Sequence, residues 1–207
     1  MIRLIDLSQP IDAHMPTYPG DPPTKLVKNK SFADDGYTNF QLKTGMHSGT
    51  HLDGPMHLTD RNKLISEFPL ESFCGEGCIL DVRGESVVSM KDEYLSRIKK
   101  NCILLLYTGH DQKYGTSEYY LKQPEVHPEL AEFLISQKTK ILGMDLPSPD
   151  PPPFNVHKLL LTNNIFIIEN LTNLDQLLKA GLFEVMAFPL KINADSSILR
   201  VVAKIIE

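Results

Sequence analysis

The chain has 207 residues, with 21 Lys and Arg against 26 Asp and Glu, a net charge of −5. That length suits one domain over residues 1–207 with a full hydrophobic core, so neither disulfides nor a structural metal is needed merely to hold a fold. The composition, 42% hydrophobic and 23% charged, is that of a soluble globular protein; mild acidity without a Lys/Arg cluster excludes a general nucleic-acid binder, and no apolar run reaches the ~20 residues that span a membrane.

Ile2–Leu7 opens the chain with strand character. The start lacks the basic, apolar and small-residue pattern of a leader, so the expected compartment is the cytoplasm. Pro10, Pro16, Pro19, Pro22 and Pro23 then interrupt any regular element. Thr38–Thr44 alternates like a strand, with Phe40 and Leu42 on one side, and the preceding loop Ser31–Tyr37 is a candidate cover for a site. Cys78–Val82, Cys102–Tyr107, Ile141–Met144, Ile165–Ile168 and Val185–Leu190 are nearly continuous apolar runs, the pattern of strands buried on both faces. Ile198–Ile206 is a β-branched finish.

Three segments read as helices. Met90–Lys100 follows Ser89 as N-cap, with Asp92 at the capping-box position. Pro128–Gln137 begins with Pro in its first turn, and Leu174–Ala180 ends at Gly181. Strands interleaved with helices indicate an α/β architecture. Pro147–Pro153 reads as a stiff loop. Cys74, Cys78 and Cys102 have no nearby Cys/His pair to complete a zinc knuckle and are read as reduced thiols.

The chemistry concentrates in His47-Ser48-Gly49-Thr50-His51-Leu52-Asp53-Gly54-Pro55-Met56-His57. Imidazole and carboxylate together suit zinc, manganese or iron(II). A helix is opposed by Gly49, Gly54 and Pro55. A straight strand would hold His47 and His51 about 13 Å apart, so a bend at Ser48-Gly49-Thr50 is needed to bring them to one ion. Asp53 then lies on the same side as His51 and can bridge two metals. His14, His110 and His127 are read as structural or surface residues. No G-x-S-x-G elbow supports a serine nucleophile.

This eleven-residue pattern, His-x-Gly-Thr-His-x-Asp-x-Pro-x-His, closely resembles the signature of the cyclase-like metal hydrolases, whose best-known members are bacterial kynurenine formamidases, with isatin hydrolases as relatives. Asp6-Leu7-Ser8-Gln9-Pro10-Ile11, Tyr18-Pro19-Gly20-Asp21-Pro22, Tyr107-Thr108-Gly109 and Gly143-Met144-Asp145-Leu146-Pro147-Ser148 look like further family landmarks. The resemblance implies a swivelling β/β/α fold with a mixed, largely buried sheet flanked by helices, assembled as a homodimer or homotetramer. It implies two divalent ions, zinc or manganese: one on His47, His51 and Asp53, the other on Asp53, His157 and Glu169. The position of His57 is the family's proton donor and acceptor. Tyr18 stands where the formamidases carry a substrate-contacting Trp, and this chain has no Trp at all.

Read independently, Glu169 ends a buried apolar run, where a carboxylate is costly without a partner. Asp145 ends another and is read as fixing a loop. The implied reaction is hydrolysis of a small amide such as N-formylkynurenine. The alternatives are a cyclic amide or lactone hydrolase of the same family, and a non-catalytic metal- or ligand-binding module.

Overall fold

The computed structural model describes residues 2–206. Nine strands form one mixed sheet in the order Arg3–Asp6, Val202–Ile206, Leu182–Met186, Cys74–Asp81, Ile103–Tyr107, Ile141–Met144, Phe166–Glu169, His51–Asp53 and Ser196–Ile198. The four strands from Cys74–Asp81 to Phe166–Glu169 run parallel, and the strands on either side pair antiparallel. The apolar runs supply this parallel centre because their side chains are buried on both faces. Leu104 and Leu106 enter one core, while Ile103, Leu105 and Tyr107 enter the other, as a repeat of two along a strand requires.

Helices Pro128–Ser136 and Asn155–Thr162 close the first core with Leu130, Leu134, Leu160 and Leu161. The opposite face is filled by Leu7, Leu52, Phe73, Phe166 and Phe183 among others. The sheet rolls so far that its ends approach each other. The chain leaves one edge at Ile198 and joins the strand beside the other edge at Val202. This fold is the expected α/β architecture of a mixed sheet flanked by helices. No helix among the described residues is long and apolar enough to cross a membrane.

Several local expectations are corrected. Ile198–Ile206 is two strands, not one, because Leu199 and Arg200 carry the chain across the gap. Met90–Lys100 contains only a single helical turn, Tyr94–Arg97. Tyr94 and Ile98 are its buried anchors, Leu95 is exposed, and Ile98 is already extended, so no second apolar turn exists to continue it. Leu174–Leu177 is a 3₁₀ turn rather than an α-helix, and Gly181 ends the segment at φ +66. Val185–Leu190 is a strand only as part of Leu182–Met186. The Asn155–Thr162 helix was not expected from the sequence.

Asn39–Lys43 pairs with Lys25–Lys30 in a separate hairpin whose base is tied by a 2.7 Å hydrogen bond between the Thr24 and Thr44 hydroxyls. Phe32 and Tyr37 at its tip are exposed, and no residue of 31–37 lines the main cleft. The expected cover over the site is therefore not formed by this loop. All three cysteines are free thiols.

Candidate metal centre

Gly49 makes the predicted bend. Its φ is +61, and a Cβ there would lie 2.7 Å from Met15 Sδ, so both conformation and space favour glycine. The bend brings the His47 and His51 rings to a centroid separation of 5.2 Å. His51 Nδ1 pairs with the Gly49 carbonyl at 2.9 Å, leaving Nε2 toward the site. The same carbonyl accepts from Asn170 Nδ2 at 2.9 Å, and Thr50 Oγ1 donates to the Asn170 carbonyl at 2.7 Å. Tyr119 donates in turn to Asn170 Oδ1 at 2.8 Å. The bend is thus bolted to the residue that succeeds Glu169.

Asp53 stands at the centre and is buried. Its Oδ1 lies 2.8 Å from His47 Nδ1 and 3.4 Å from His51 Nε2, and its Oδ2 lies 3.2 Å from His157 Nε2. Glu169 approaches from the neighbouring strand, with Oε2 3.4 Å from His51 Nε2 and Oε1 3.6 Å from His157 Nε2. His157 sits near the start of the Asn155–Thr162 helix. Asp150 accepts from the main-chain N–H of Val156 at 2.8 Å and of His157 at 3.1 Å, so it caps that helix from the Pro147–Pro153 loop. Ser148 Oγ lies 3.3 Å from His157 Nδ1.

The five residues expected as metal ligands line one cleft, and two sets in it have ligand atoms within 4.8 Å of one another: His51, Asp53 and Glu169, and His47, Asp53 and His57. Donors about 2.1 Å from a tetrahedral ion sit roughly 3.4 Å from one another, and the separations here, 2.8 to 3.6 Å, bracket that value. His51 Nε2, Asp53 Oδ1 and Glu169 Oε1 are buried without a hydrogen-bond partner. Buried polar atoms are rarely left so, and these three residues form a set of donors that could hold a metal ion.

The electrostatics agree. Burial pushes the Glu169 carboxyl well above its ordinary range, and the Asp53 charge adds to the rise. Burial works against ionisation of Asp53 as well, but the His51 charge and the contacts from His157 and His47 outweigh it and hold Asp53 well below its ordinary range. Burial also disfavours charging His47, yet the Asp195 and Asp53 carboxylates push its pKa up to about 10. A proton on His47 stands where a cation would.

His57 lies beside this cluster, its ring centroid 4.0 Å from that of His47 and 5.9 Å from that of His157. The cleft over the cluster has a volume of about 230 Å³ and an apolar wall of Pro16, Tyr18, Leu58, Tyr120, Pro147 and Phe154. Tyr18 meets Tyr120 edge to face at 5.8 Å. Burial raises the Tyr18 pKa, and the Glu169 charge raises it further.

Sequence reasoning missed Asn170, Asp150 and Asp195, whose carboxylate lies 2.9 Å from His47 Nε2. Asp145 does fix a loop, accepting from Thr108 N and Oγ1 and from Gly109 N, and burial, opposed by those bonds, pushes it up to about 6. His110 pairs with the Tyr119 carbonyl, His127 caps the Pro128–Ser136 helix, and His14 is exposed.

Comparison with known proteins agrees with this architecture. The Cyclase family pattern (putative cyclase) matches residues 5–151. Kynurenine formamidase of Bacillus cereus (strain ATCC 10987 / NRS 248) is 30% identical over 205 residues, covering 97% of this chain and 96% of its own. Isatin hydrolase A of Ralstonia solanacearum superposes with a TM-score of 0.88 at 23% identity, over 99% of this chain and 92% of its own. Isatin hydrolase A of Labrenzia aggregata gives 0.86 at 24% identity, over 100% and 94%. With a pattern spanning well over half the sequence and a 30% identical relative along nearly all of it, this chain belongs to the cyclase family.

Proposed function

We propose that the site hydrolyses a small amide, with N-formyl arylamines such as N-formylkynurenine as the leading substrate class. The observation that carries this reading is Asp53, buried between two groups of donors with each carboxylate oxygen facing a different one. His47, His51 and Asp53 would hold one divalent ion, and Asp53, His157 and Glu169 a second; zinc and manganese both accept such a set. Ions held there supply Lewis acidity, which acidifies water and polarises a carbonyl.

The chain's own residues do the rest. Tyr18, Tyr120 and Phe154 offer flat apolar surface for an aromatic ring beside the cluster. Their side chains keep solvent from the ring's faces. His57 accepts the proton of the attacking water and returns it to the leaving amine nitrogen, a shuttle of the kind imidazole performs near neutral pH.

A cyclic amide of the isatin type is the second reading, supported by the likeness of the fold to isatin hydrolases; Tyr18 in place of the formamidase Trp weakens the choice of N-formylkynurenine. A panel of N-formylkynurenine, isatin and an aromatic lactone, presented to protein loaded with zinc or with manganese, separates them. Turnover of the formamide alone supports the first reading. Turnover of isatin alone transfers the assignment to the second. Bound metal with no turnover on any of the three leaves a binding module.

A homo-oligomer belongs to the same proposal. Phe40 and Leu42 share one face of the hairpin and are 55% and 43% exposed, apolar area that a second copy could cover. A monomer by analytical ultracentrifugation would remove this part.

A further inference from the structure

We infer that Asp195 is a positioning residue whose single carboxylate fixes the orientation and tautomer of both His47 and His57; the inference rests on the hydrolytic reading of the site. Asp195 immediately precedes the edge strand Ser196–Ile198, in which Ser196 pairs with Asp53. Its main-chain carbonyl accepts from Gly54 N at 3.1 Å. A Cβ on Gly54 would lie 2.6 Å from that same carbonyl oxygen, so the glycine lets the two loops close. Backbone therefore sets where the Asp195 side chain stands.

From there Asp195 Oδ2 is 2.9 Å from His47 Nε2 and 3.3 Å from His57 Nδ1, and Ser196 Oγ donates to it at 3.3 Å. An ionised carboxylate only accepts, so each ring must present an N–H to it. With a metal in place of the second proton on His47, this would leave Nδ1, the atom 2.8 Å from Asp53 Oδ1, as the ligating nitrogen. A histidine that ligates a metal through one nitrogen commonly donates the other N–H to a carboxylate, which fixes its tautomer. For His57 it leaves Nε2 unprotonated, the state a proton acceptor needs. One oxygen thus prepares a ligand and a proton carrier together. His57 lies 138 residues away in sequence, which is why no motif announces the link.

The test uses zinc-loaded protein labelled with ¹⁵N in histidine, comparing the parent with D195N and D195A. Ring ¹⁵N shifts report the His57 tautomer without reference to any substrate. The expected result is Nδ1–H in the parent and a shift toward Nε2–H in both variants. At saturating zinc, with zinc content equal to the parent, kcat falls about 30-fold or more while KM stays within about threefold; a wrong tautomer can cost up to about 10⁴ in a His–carboxylate pair. D195E restores part of kcat. Circular dichroism checks that the variants fold.

Retention of Nδ1–H in both variants, its absence in the parent, or a kcat within about threefold of the parent at equal zinc content would overturn the inference, set against the loss of up to about 10⁴ that a wrong tautomer can cause. The tautomer does not depend on substrate choice. A parent that shows the predicted tautomer switch but never turns over an amide would count against the proposed function and leave Asp195 in its role.

Discussion

Glu169 lies directly opposite His51 across an antiparallel strand pair, and its Oε2 is 3.4 Å from His51 Nε2. The two residues come from opposite ends of the functional region and meet only because the Phe166–Glu169 strand takes His51–Asp53 as its neighbour. A carboxylate placed at that register is buried beside Asp53, an arrangement that is unfavourable without a cation between them.

This has a consequence for stability in the metal-free protein. Glu169 has its folded-state pKa raised by burial and by Asp53, so its stabilising contribution is complete below the unfolded value of about 4.3. It is lost as pH climbs through the raised folded value. The melting temperature of chelator-treated protein should therefore fall as pH rises above that unfolded value, and Glu169→Gln should flatten that fall. Thermal scans at successive pH values check it; an equally steep fall in the variant would refute the assignment.

Gly54 is a steric prediction. A Cβ there would meet the Asp195 carbonyl oxygen at 2.6 Å and Ile65 Cδ1 at 2.7 Å. Gly54→Ala should destabilise the fold by about 1–3 kcal/mol, the usual range for forcing a methyl into a packed site. Urea denaturation measures it. A loss under about 0.5 kcal/mol, the size of an ordinary surface substitution, would show that the loop carrying Asp195 yields freely.

Tyr18 should act on substrate binding and not on the metal. Tyr18→Ala removes a ring from the cleft wall and its edge contact with Tyr120. We expect KM for an aromatic formamide to rise about tenfold or more, with metal content unchanged, because a buried aromatic contributes a large apolar area plus the geometry of ring contacts. Steady-state kinetics beside metal analysis decide it. A change in metal content instead would make Tyr18 part of the scaffold.

Legibility in the sequence tracked the range of the interactions. The bend at Gly49 is local, so the convergence of His47 and His51 could be argued from spacing alone. The parallel strands were readable because burial on both faces leaves an unbroken apolar run. Glu169 stood out as a charge at the end of such a run. His157 was placed only by the family resemblance, because its helix begins after three consecutive prolines and is capped by Asp150 from outside, with no local cap to announce it. Asp195 and Asn170 carry no signal in their neighbourhoods; their roles arise when the sheet rolls and unites distant segments. The Met90–Lys100 helix failed for the converse reason. Its capping pattern was present, but only the turn Tyr94–Arg97 had a core to face, through Tyr94, while Leu95 is exposed.

The most direct test of the two-metal hydrolase reading is the metal stoichiometry and N-formylkynurenine turnover of three zinc-loaded proteins: the parent, Asp53→Ala and His57→Ala. The reading predicts two ions and turnover in the parent, loss of both metal and turnover in Asp53→Ala, and metal retained with kcat lower by about 10² or more in His57→Ala. Full metal content in Asp53→Ala, or undiminished turnover in His57→Ala, would contradict it.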